Sequence, residues 1–197
     1  MYFVGLCGLN CSGKTTVVNH FKDNKDFGAL SLSDMIREEL RSRNQEISRN
    51  NLRTVGNELR ENYGSAVLAE RVIKYVEKQT EKKNWVIDSI RHPSEAQVFI
   101  DSKYPFLFIK IDCPIEQRYK RALSRKRGEE ESISFEEFKE KEDRELHSEK
   151  EYSQQLLKTF EKANITIVNE AGVEELQKKL DLAIEEFTKK LKNKDNN

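Results

Sequence analysis

The sequence contains little cysteine, proline or glycine, with three, three and eight of these residues among 197. An odd number of cysteines, two of them in one short stretch, argues against a disulfide framework and favours a reducing compartment, so we expect a cytoplasmic protein. No apolar run approaches the roughly 18 residues that a transmembrane helix needs, and the first residues lack the basic segment of a signal peptide. We therefore expect no membrane partner.

The formal net charge is zero, because 35 basic residues balance 35 acidic ones. This balance argues against a nucleic-acid-binding protein that depends on a broadly positive surface. Charge of both signs is abundant, at 36% of all residues, which indicates a surface made largely of solvated helices.

Four short apolar runs, rich in β-branched and aromatic residues, have the composition of strands buried on both faces, and a fifth run is weaker. Helical patterns lie between these runs. Strands that alternate with helices indicate a parallel sheet covered by helices on both faces. The sequence thus predicts an α/β fold with five strands, at YFVGLC from Tyr2, ALSL from Ala29 (the weaker run), NWVID up to Asp88, FLFIKID from Phe106 and NITIVN from Asn164.

Two stretches interrupt this alternation. Residues 34–84 contain three helical segments and no strand, and residues 119–150 are densely charged with few apolar positions. Both have the character of insertions into an α/β core. We predict that residues 1–33, 85–118 and 151–197 form that core.

The strongest motif is Gly8-Leu-Asn-Cys-Ser-Gly13-Lys14-Thr15, which matches the phosphate-binding loop pattern G-x-x-x-x-G-K-S/T in full. It follows an apolar strand and opens a predicted helix. Its glycines let backbone N–H groups turn towards a phosphate chain, Lys14 supplies a positive charge, and the Thr15 hydroxyl can bind Mg²⁺. The motif predicts a site for ATP and Mg²⁺, formed by Gly8, Asn10, Cys11, Ser12, Gly13, Lys14, Thr15 and Thr16.

Asp88 ends a predicted buried strand, at the edge where parallel sheets bind ligands. A carboxylate there can hold the metal ion directly or through water, so we expect Thr15 and Asp88 to form the metal site. The alternative is an aspartate that caps the turn after the strand. No D-x-x-G sequence follows Asp88 and no N-K-x-D sequence occurs, which disfavours a regulatory GTPase.

Two arginine-containing segments accompany the loop. Ser33-Asp34-Met35-Ile36-Arg37 resembles the Gly-Asp-Met-Leu-Arg segment of adenylate kinases, and Asp88-Ser89-Ile90-Arg91-His92-Pro93 resembles their Asp-Gly-Phe-Pro-Arg segment. The second is more similar still to the Asp-Gly-Ile-Arg pattern of archaeal-type P-loop proteins described as adenylate kinase-related or dephospho-CoA kinase-like. Residues 57–64 and 135–146 also resemble those proteins, so the similarity covers nearly the whole chain. One departure is Ser89, where the family often has glycine.

The resemblance implies the P-loop NTPase fold of nucleoside monophosphate kinases: a five-stranded parallel sheet, an acceptor-binding insertion at residues 34–84 and a lid at residues 119–150. It implies that Arg37 and Arg91 bind the acceptor phosphate, a role that suits the bidentate guanidinium group. A solvated helix position is the alternative for Arg37. Asp34 is a further substrate-binding candidate. Alternatively, it could be a negative charge at a helix N-terminus or a proton acceptor.

In related kinases, lid arginines close over the triphosphate and neutralise the charge of the transferred phosphoryl group. Arg118 directly precedes the second insertion, which contains Arg121, Arg125, Arg127 and Arg144. Arg118, Arg121 and Arg125 share one helix face and could bind a common anion, or they could form a solvated face balanced by the nearby glutamates. We expect Arg121 to contact ATP, and we expect the catalytic residues to be Lys14, Asp88, Arg91 and Arg125.

We therefore expect an enzyme that transfers the γ-phosphoryl group of ATP·Mg²⁺ to a nucleoside or deoxynucleoside monophosphate. Its partner would be this small-molecule acceptor, and the protein would be a monomer or a homodimer. Two alternatives are a dephospho-CoA kinase, whose acceptor is a ribose hydroxyl, and an ATP-binding regulator that transfers no phosphate. Structural zinc is not expected, because no cysteine follows Cys113.

Overall fold

The computed structural model describes residues 1–125, 133–147 and 152–195. Five strands form its centre: β1 (Tyr2–Cys7), β2 (Gly28–Ser31), β3 (Asn84–Asp88), β4 (Phe106–Asp112) and β5 (Ile165–Val168). They make one sheet in the order β2-β3-β1-β4-β5, and every neighbouring pair is parallel. Each strand lies on one of the five apolar runs, so the predicted α/β class and all five strands are confirmed.

Nine helices occur within the described ranges: α1 (Lys14–Asn24), α2 (Leu32–Ser42), α3 (Arg49–Tyr63), α4 (Val67–Val76), α5 (Pro93–Ile100), α6 (Ile115–Ser124), α7 (Phe135–Leu146), α8 (Leu156–Glu161) and α9 (Val173–Asp195). Three of them begin at a serine whose hydroxyl accepts a backbone N–H of the first turn: Ser31, Ser48 and Ser134. Such caps satisfy N–H groups that the helix itself cannot pair.

Hydrophobic clusters cover both faces of the sheet, as the sequence predicts. Side chains alternate along β1, so that Phe3 belongs to one cluster and Val4 to the other, and neither is exposed. Helices α1 and α9 complete the cluster around Val4, while α2, α3, α4 and α5 complete the cluster around Phe3. Full burial of such side chains, at about 1.5–3 kcal/mol each, holds the helices on the sheet.

The chain between β2 and β3 consists of α2, α3 and α4 and contains no strand, which confirms the three helical segments predicted there. Their apolar residues, including Leu40, Leu59 and Leu68, belong to the same cluster as Phe3 of β1. These helices therefore pack directly on the central core. That they form a separate acceptor-binding unit stays a prediction.

Helices α6 and α7 share a small third cluster with the loop after β1. Its buried members are Cys11, Ala122, Ile133 and Phe138. The predicted lid at residues 119–150 thus contacts the phosphate-binding loop through apolar side chains. Arg127 lies outside the described residues, and the boundaries of the lid stay predicted. None of the described helices is long and apolar enough to cross a membrane.

Candidate active site

The loop between β1 and α1 turns sharply at two glycines. Gly8 has a backbone φ angle of 140° and Gly13 one of 112°, values that residues with side chains rarely adopt. A Cβ atom on Gly8 would lie 2.2 Å from the carbonyl oxygen of Ile111, and one on Gly13 would lie 2.3 Å from Nδ2 of Asn169. Both positions therefore require glycine, which explains why the motif has glycine there.

The same loop presents groups that suit an anion. The N-cap residue of helix α1 is Gly13, which has no side chain, so no side chain caps the N–H groups of the first turn. Ser12 Oγ is buried and has no hydrogen-bond partner among the described residues. Lys14 Nζ donates to the carbonyl oxygens of Gly8 at 2.8 Å and of Leu9 at 2.9 Å, which holds the ammonium group against the loop. A phosphate chain would satisfy these groups, so the loop fits a nucleoside triphosphate.

The other predicted residues of the loop lie in different surroundings. Asn10 Oδ1 accepts the backbone N–H of Cys11 at 3.0 Å. The Cys11 side chain is 3% exposed and packs in the cluster shared with α6 and α7, so any contact of Cys11 with a nucleotide would use its backbone. Thr15 and Thr16 lie in the first turn of α1, with Thr15 exposed and Thr16 half-buried.

Two other predicted catalytic residues influence the pKa of Lys14. Burial lowers the pKa of Lys14 to about 8, the negative charge of Asp88 opposes this effect, and the positive charge of Arg91 adds to it. Such effects need short distances. The fold therefore brings Lys14, Asp88 and Arg91 into one neighbourhood, although they come from α1, the end of β3 and the loop after it.

Asp88 lies at the carboxyl end of β3, beside Ser31 of β2. Its Oδ1 accepts the backbone N–H of Ser89 at 2.6 Å, so Asp88 does cap the turn that follows the strand. Its Oδ2 accepts no hydrogen bond from any residue in the described ranges. Mg²⁺ prefers carboxylate and hydroxyl oxygens. Asp88 and Thr15 therefore have the donor chemistry of a magnesium site.

A cleft of about 1470 Å³ opens beside the loop. Its lining includes Asn10 of the loop, Ser89 after β3, and both arginines predicted to bind the acceptor phosphate, Arg37 and Arg91. Seven basic side chains line this cleft against four glutamates. The cleft is therefore suited to an anionic molecule next to a bound nucleotide.

The two arginines have different partners in the cleft. Arg37 Nη1 forms an ion pair with Asp34 Oδ1 at 2.8 Å, and Asp34 Oδ2 accepts the backbone N–H of Ser31 at 2.8 Å. Asp34 thus has the helix N-terminal role, one of the three considered for it, and also orients Arg37. Arg91 Nη1 donates to the neutral Oε1 of Gln154 at 3.0 Å.

Of the two alternatives considered for Arg118, Arg121 and Arg125, a common anionic target does not hold for Arg118. Its Nε donates to the carbonyl oxygen of Cys113 at 2.7 Å, and its Nη2 donates to Glu142 of α7 at 2.8 Å. This side chain points into the junction between α6 and α7, where it pairs with the largely buried carboxylate of Glu142. Arg121 Nη1 instead donates to the Cys11 carbonyl oxygen at 3.3 Å, next to the phosphate-binding loop. The catalytic role of the exposed Arg125 stays a prediction.

Two comparisons with known proteins agree with this geometry. The profile of a protein family described as an AAA domain matches residues 7–139, more than half of the chain. A UPF0200 protein of Methanothermobacter thermautotrophicus is 30% identical over 146 residues, which cover 74% of this chain and 73% of that protein. The chain belongs to both families.

Another UPF0200 relative is longer. The UPF0200/UPF0201 protein of Archaeoglobus fulgidus is 32% identical over 182 residues, a match that covers 91% of this chain. The chain spans only about half of that relative, because the match covers 54% of its length.

Solved structures similar to this UPF0200 chain include shikimate kinases. Shikimate kinase from Bacteroides thetaiotaomicron has a TM-score of 0.59 at 14% identity, over 93% of this chain and 98% of that one. Shikimate kinase from Acinetobacter baumannii, in complex with shikimate, has a TM-score of 0.56 at 16% identity, over 94% of both chains. At such identities the likeness concerns the fold alone, and it agrees with the α/β P-loop NTPase fold that the family resemblance implies.

Sequence reasoning missed several residues of this UPF0200 site. Asn169 Nδ2 donates to the carbonyl oxygen of Ser12 at 2.8 Å and so supports the phosphate-binding loop from behind. Its position as the last residue of a predicted strand was an available signal. Arg60 and Glu95 form a buried ion pair beside the cleft. Neither could be recognised from a motif, because they come from separate helices.

Proposed function

We propose that the protein is an ATP-dependent phosphotransferase that moves the γ-phosphoryl group of ATP to a nucleoside or deoxynucleoside monophosphate. One observation carries this proposal: Arg37 and Arg91 line the same cleft as Asn10 of the phosphate-binding loop. An acceptor whose phosphate is held by two guanidinium groups would lie next to the donor phosphate chain. This arrangement suits transfer between two phosphates, in which positioning and charge neutralisation supply most of the rate.

Each group has a separate task in this proposal. The N–H groups at the start of α1 and the Lys14 ammonium bind the donor phosphates. Arg37 and Arg91 bind the acceptor phosphate and reduce the repulsion between the two anions. Mg²⁺, held by Thr15 and Asp88, supplies further positive charge when bound. Arg121 and Arg125 are the expected contributors from the lid.

The partners of the two arginines support this division. Arg91 has a neutral amide as its side-chain partner, so its charge is available to a phosphate. Arg37 is already paired with Asp34, which holds it in the cleft at 34% side-chain exposure. A phosphate that approaches Arg37 meets an oriented guanidinium, and orientation before binding lowers the entropic cost of the complex.

The first experiment measures Mg²⁺-dependent ATP consumption with a panel of ribo- and deoxynucleoside monophosphates and with dephospho-CoA. We expect turnover with at least one monophosphate. Lys14→Ala should abolish it, because the donor phosphates lose their charged partner, whereas Lys22→Ala, at an exposed lysine of the same helix, should not change it. ATP binding without any acceptor-dependent turnover would contradict the proposal and favour a regulatory ATP-binding protein.

Turnover with dephospho-CoA alone would identify a different acceptor, a ribose hydroxyl. Arg91→Ala then distinguishes a nucleoside monophosphate kinase from a dephospho-CoA kinase. With a monophosphate acceptor we expect this substitution to lower kcat/KM by at least about 100-fold, since a charge-assisted bidentate contact to the substrate is lost. Arg41→Ala, one helical turn beyond Arg37 and outside the cleft, is the matched control and should leave kcat/KM unchanged.

A further inference from the structure

A buried glutamate lies between the acceptor cleft and the loop that carries Arg91. Glu95 is in the first turn of α5 and has no exposed surface, and its partner Arg60 of α3 is 5% exposed. A buried carboxylate is costly unless its oxygens are hydrogen-bonded and its charge is compensated. The bonds that satisfy Glu95 therefore indicate what it holds in place.

The two oxygens of Glu95 have different partners. Oε1 accepts Nε and Nη2 of Arg60 at 3.0 Å and 2.7 Å. Oε2 accepts the backbone N–H of Arg91 at 2.9 Å and that of His92 at 3.0 Å. The guanidinium thus holds Oε1 with two bonds, and Oε2 holds two consecutive peptide groups.

Helix capping accounts for only part of this arrangement. A glutamate at the third position of a helix commonly accepts the N–H of the N-cap residue, and Glu95 does so for His92. That role requires neither complete burial nor an arginine, and it does not involve Arg91. The bond to the Arg91 N–H and the pairing with Arg60 are additional.

The backbone of Arg91 is held from its other side as well. Its carbonyl oxygen accepts the backbone N–H of Gln155 at 3.0 Å. Its guanidinium, in contrast, has no carboxylate partner in the part of the chain that the structure describes. Arg91 thus combines a fixed backbone with a charge available to the cleft. A group that binds a phosphate in one defined position needs both properties.

We propose that Glu95, oriented by Arg60, is a positioning residue for Arg91. It sets the backbone from which the Arg91 guanidinium reaches the acceptor phosphate, and it acts through Arg91 without touching the substrate. This inference rests on the proposed function for the identity of the acceptor. Because Arg60 also lines the cleft, the same bonds fix the position of α3 relative to Arg91.

Two double variants test this role. R60M/E95Q and R60M/E95L both remove the ion pair, so neither leaves an unpaired charge in the interior. They differ in one respect: glutamine keeps an oxygen that can accept the N–H groups of Arg91 and His92, and leucine does not. We expect R60M/E95L to raise the acceptor KM at least about tenfold, and R60M/E95Q, which loses Arg60 but keeps the accepting oxygen, to raise it only about threefold. The Kd for ATP·Mg²⁺ should be the same in both.

Amide hydrogen exchange provides a readout that does not depend on turnover. The N–H groups of Arg91 and His92 should exchange faster in R60M/E95L than in R60M/E95Q. An equal KM in the two variants, or equal exchange at these amides, would overturn the proposal. If the unchanged protein phosphorylates no acceptor, the proposed function fails, and the exchange difference still decides whether Glu95 holds the Arg91 backbone.

A third variant applies if R60M/E95L does not fold. Arg60→Lys keeps the charge but loses the rigid planar group that donates two bonds to Oε1 of Glu95. We expect it to raise the acceptor KM by about threefold or more while the Kd for ATP·Mg²⁺ is unchanged. An acceptor KM equal to that of the unchanged protein would contradict the positioning role.

Discussion

Among single residues, Lys14 combines a position in the phosphate-binding loop with a lowered pKa. Burial is the main cause of its pKa of about 8. The free protein loses this proton as the pH rises through about 8, whereas a bound triphosphate favours the charged amine. Binding above that pH must therefore take up a proton, and we expect the Kd for ATP·Mg²⁺ to rise by up to about tenfold per pH unit.

Calorimetric titrations between about pH 7 and pH 9.5 measure this dependence, and buffers of different ionisation enthalpy reveal the proton uptake. Lys22→Ala, which changes an exposed lysine of α1, should keep the dependence. Lys14→Met should weaken binding at every pH and remove the dependence. A Kd that does not change across this range would show that Lys14 keeps its proton in the free protein.

Ser89 has a backbone φ angle of 65°, in the left-handed region that glycine adopts without strain. The left-handed conformation costs a residue with a side chain about 1–2 kcal/mol, and glycine avoids this cost. Glycine also makes the unfolded chain more flexible, which offsets part of the gain in stability. We expect Ser89→Gly to raise the free energy of unfolding by up to about 1 kcal/mol, measured by urea denaturation. Ser94→Gly, in the first turn of α5, should not stabilise the protein.

Between elements, a largely buried ion pair joins α6 and α7. The side chains of Arg118 and Glu142 are 5% and 10% exposed. Burial lowers the pKa of Arg118, as expected for a charge removed from water. Arg118→Met leaves the Glu142 carboxylate buried without its partner, so we expect a loss of about 3–5 kcal/mol in the stability of this junction.

Hydrogen exchange in α6 and α7 measures that loss, because it reports local opening as well as global unfolding. The double variant R118M/E142L should recover most of the protection, since no lone charge remains. Arg144→Ala is the control: its pair with Glu140 is 74% and 70% exposed, and an exposed pair contributes at most about 1 kcal/mol. Equal losses in Arg118→Met and Arg144→Ala would contradict the burial argument.

For the whole molecule, most of the fold could be predicted from the sequence, because strands buried on both faces are continuous apolar runs. The runs at β1, β3 and β4 end where the strands end. The weaker signal at β2 has a physical reason: β2 is an edge strand, and three of its four residues are only half-buried. An edge strand has less need of large apolar side chains.

The site could be predicted only where its residues are neighbours in sequence. The phosphate-binding loop is one continuous motif, so its groups were identifiable. Arg60 and Glu95 are 35 residues apart and Arg118 and Glu142 are 24 apart, and such pairs arise only when separate helices pack together. Helical spacing placed Arg118 on the face of Arg121, but it could not reveal the carboxylate that α7 supplies.

The position of β1 has a consequence for biosynthesis. It is the first strand along the chain, yet it lies in the middle of the sheet, between partners that begin at Asn84 and Phe106. A ribosome adds about 5–20 residues per second, so an apolar strand with two unpaired edges waits for several seconds while its neighbours are made. The phosphate-binding loop extends from this strand and is supported on both sides only when the last neighbour arrives. Nucleotide capture by a nascent chain would therefore mark the moment at which β1 has both of its neighbours.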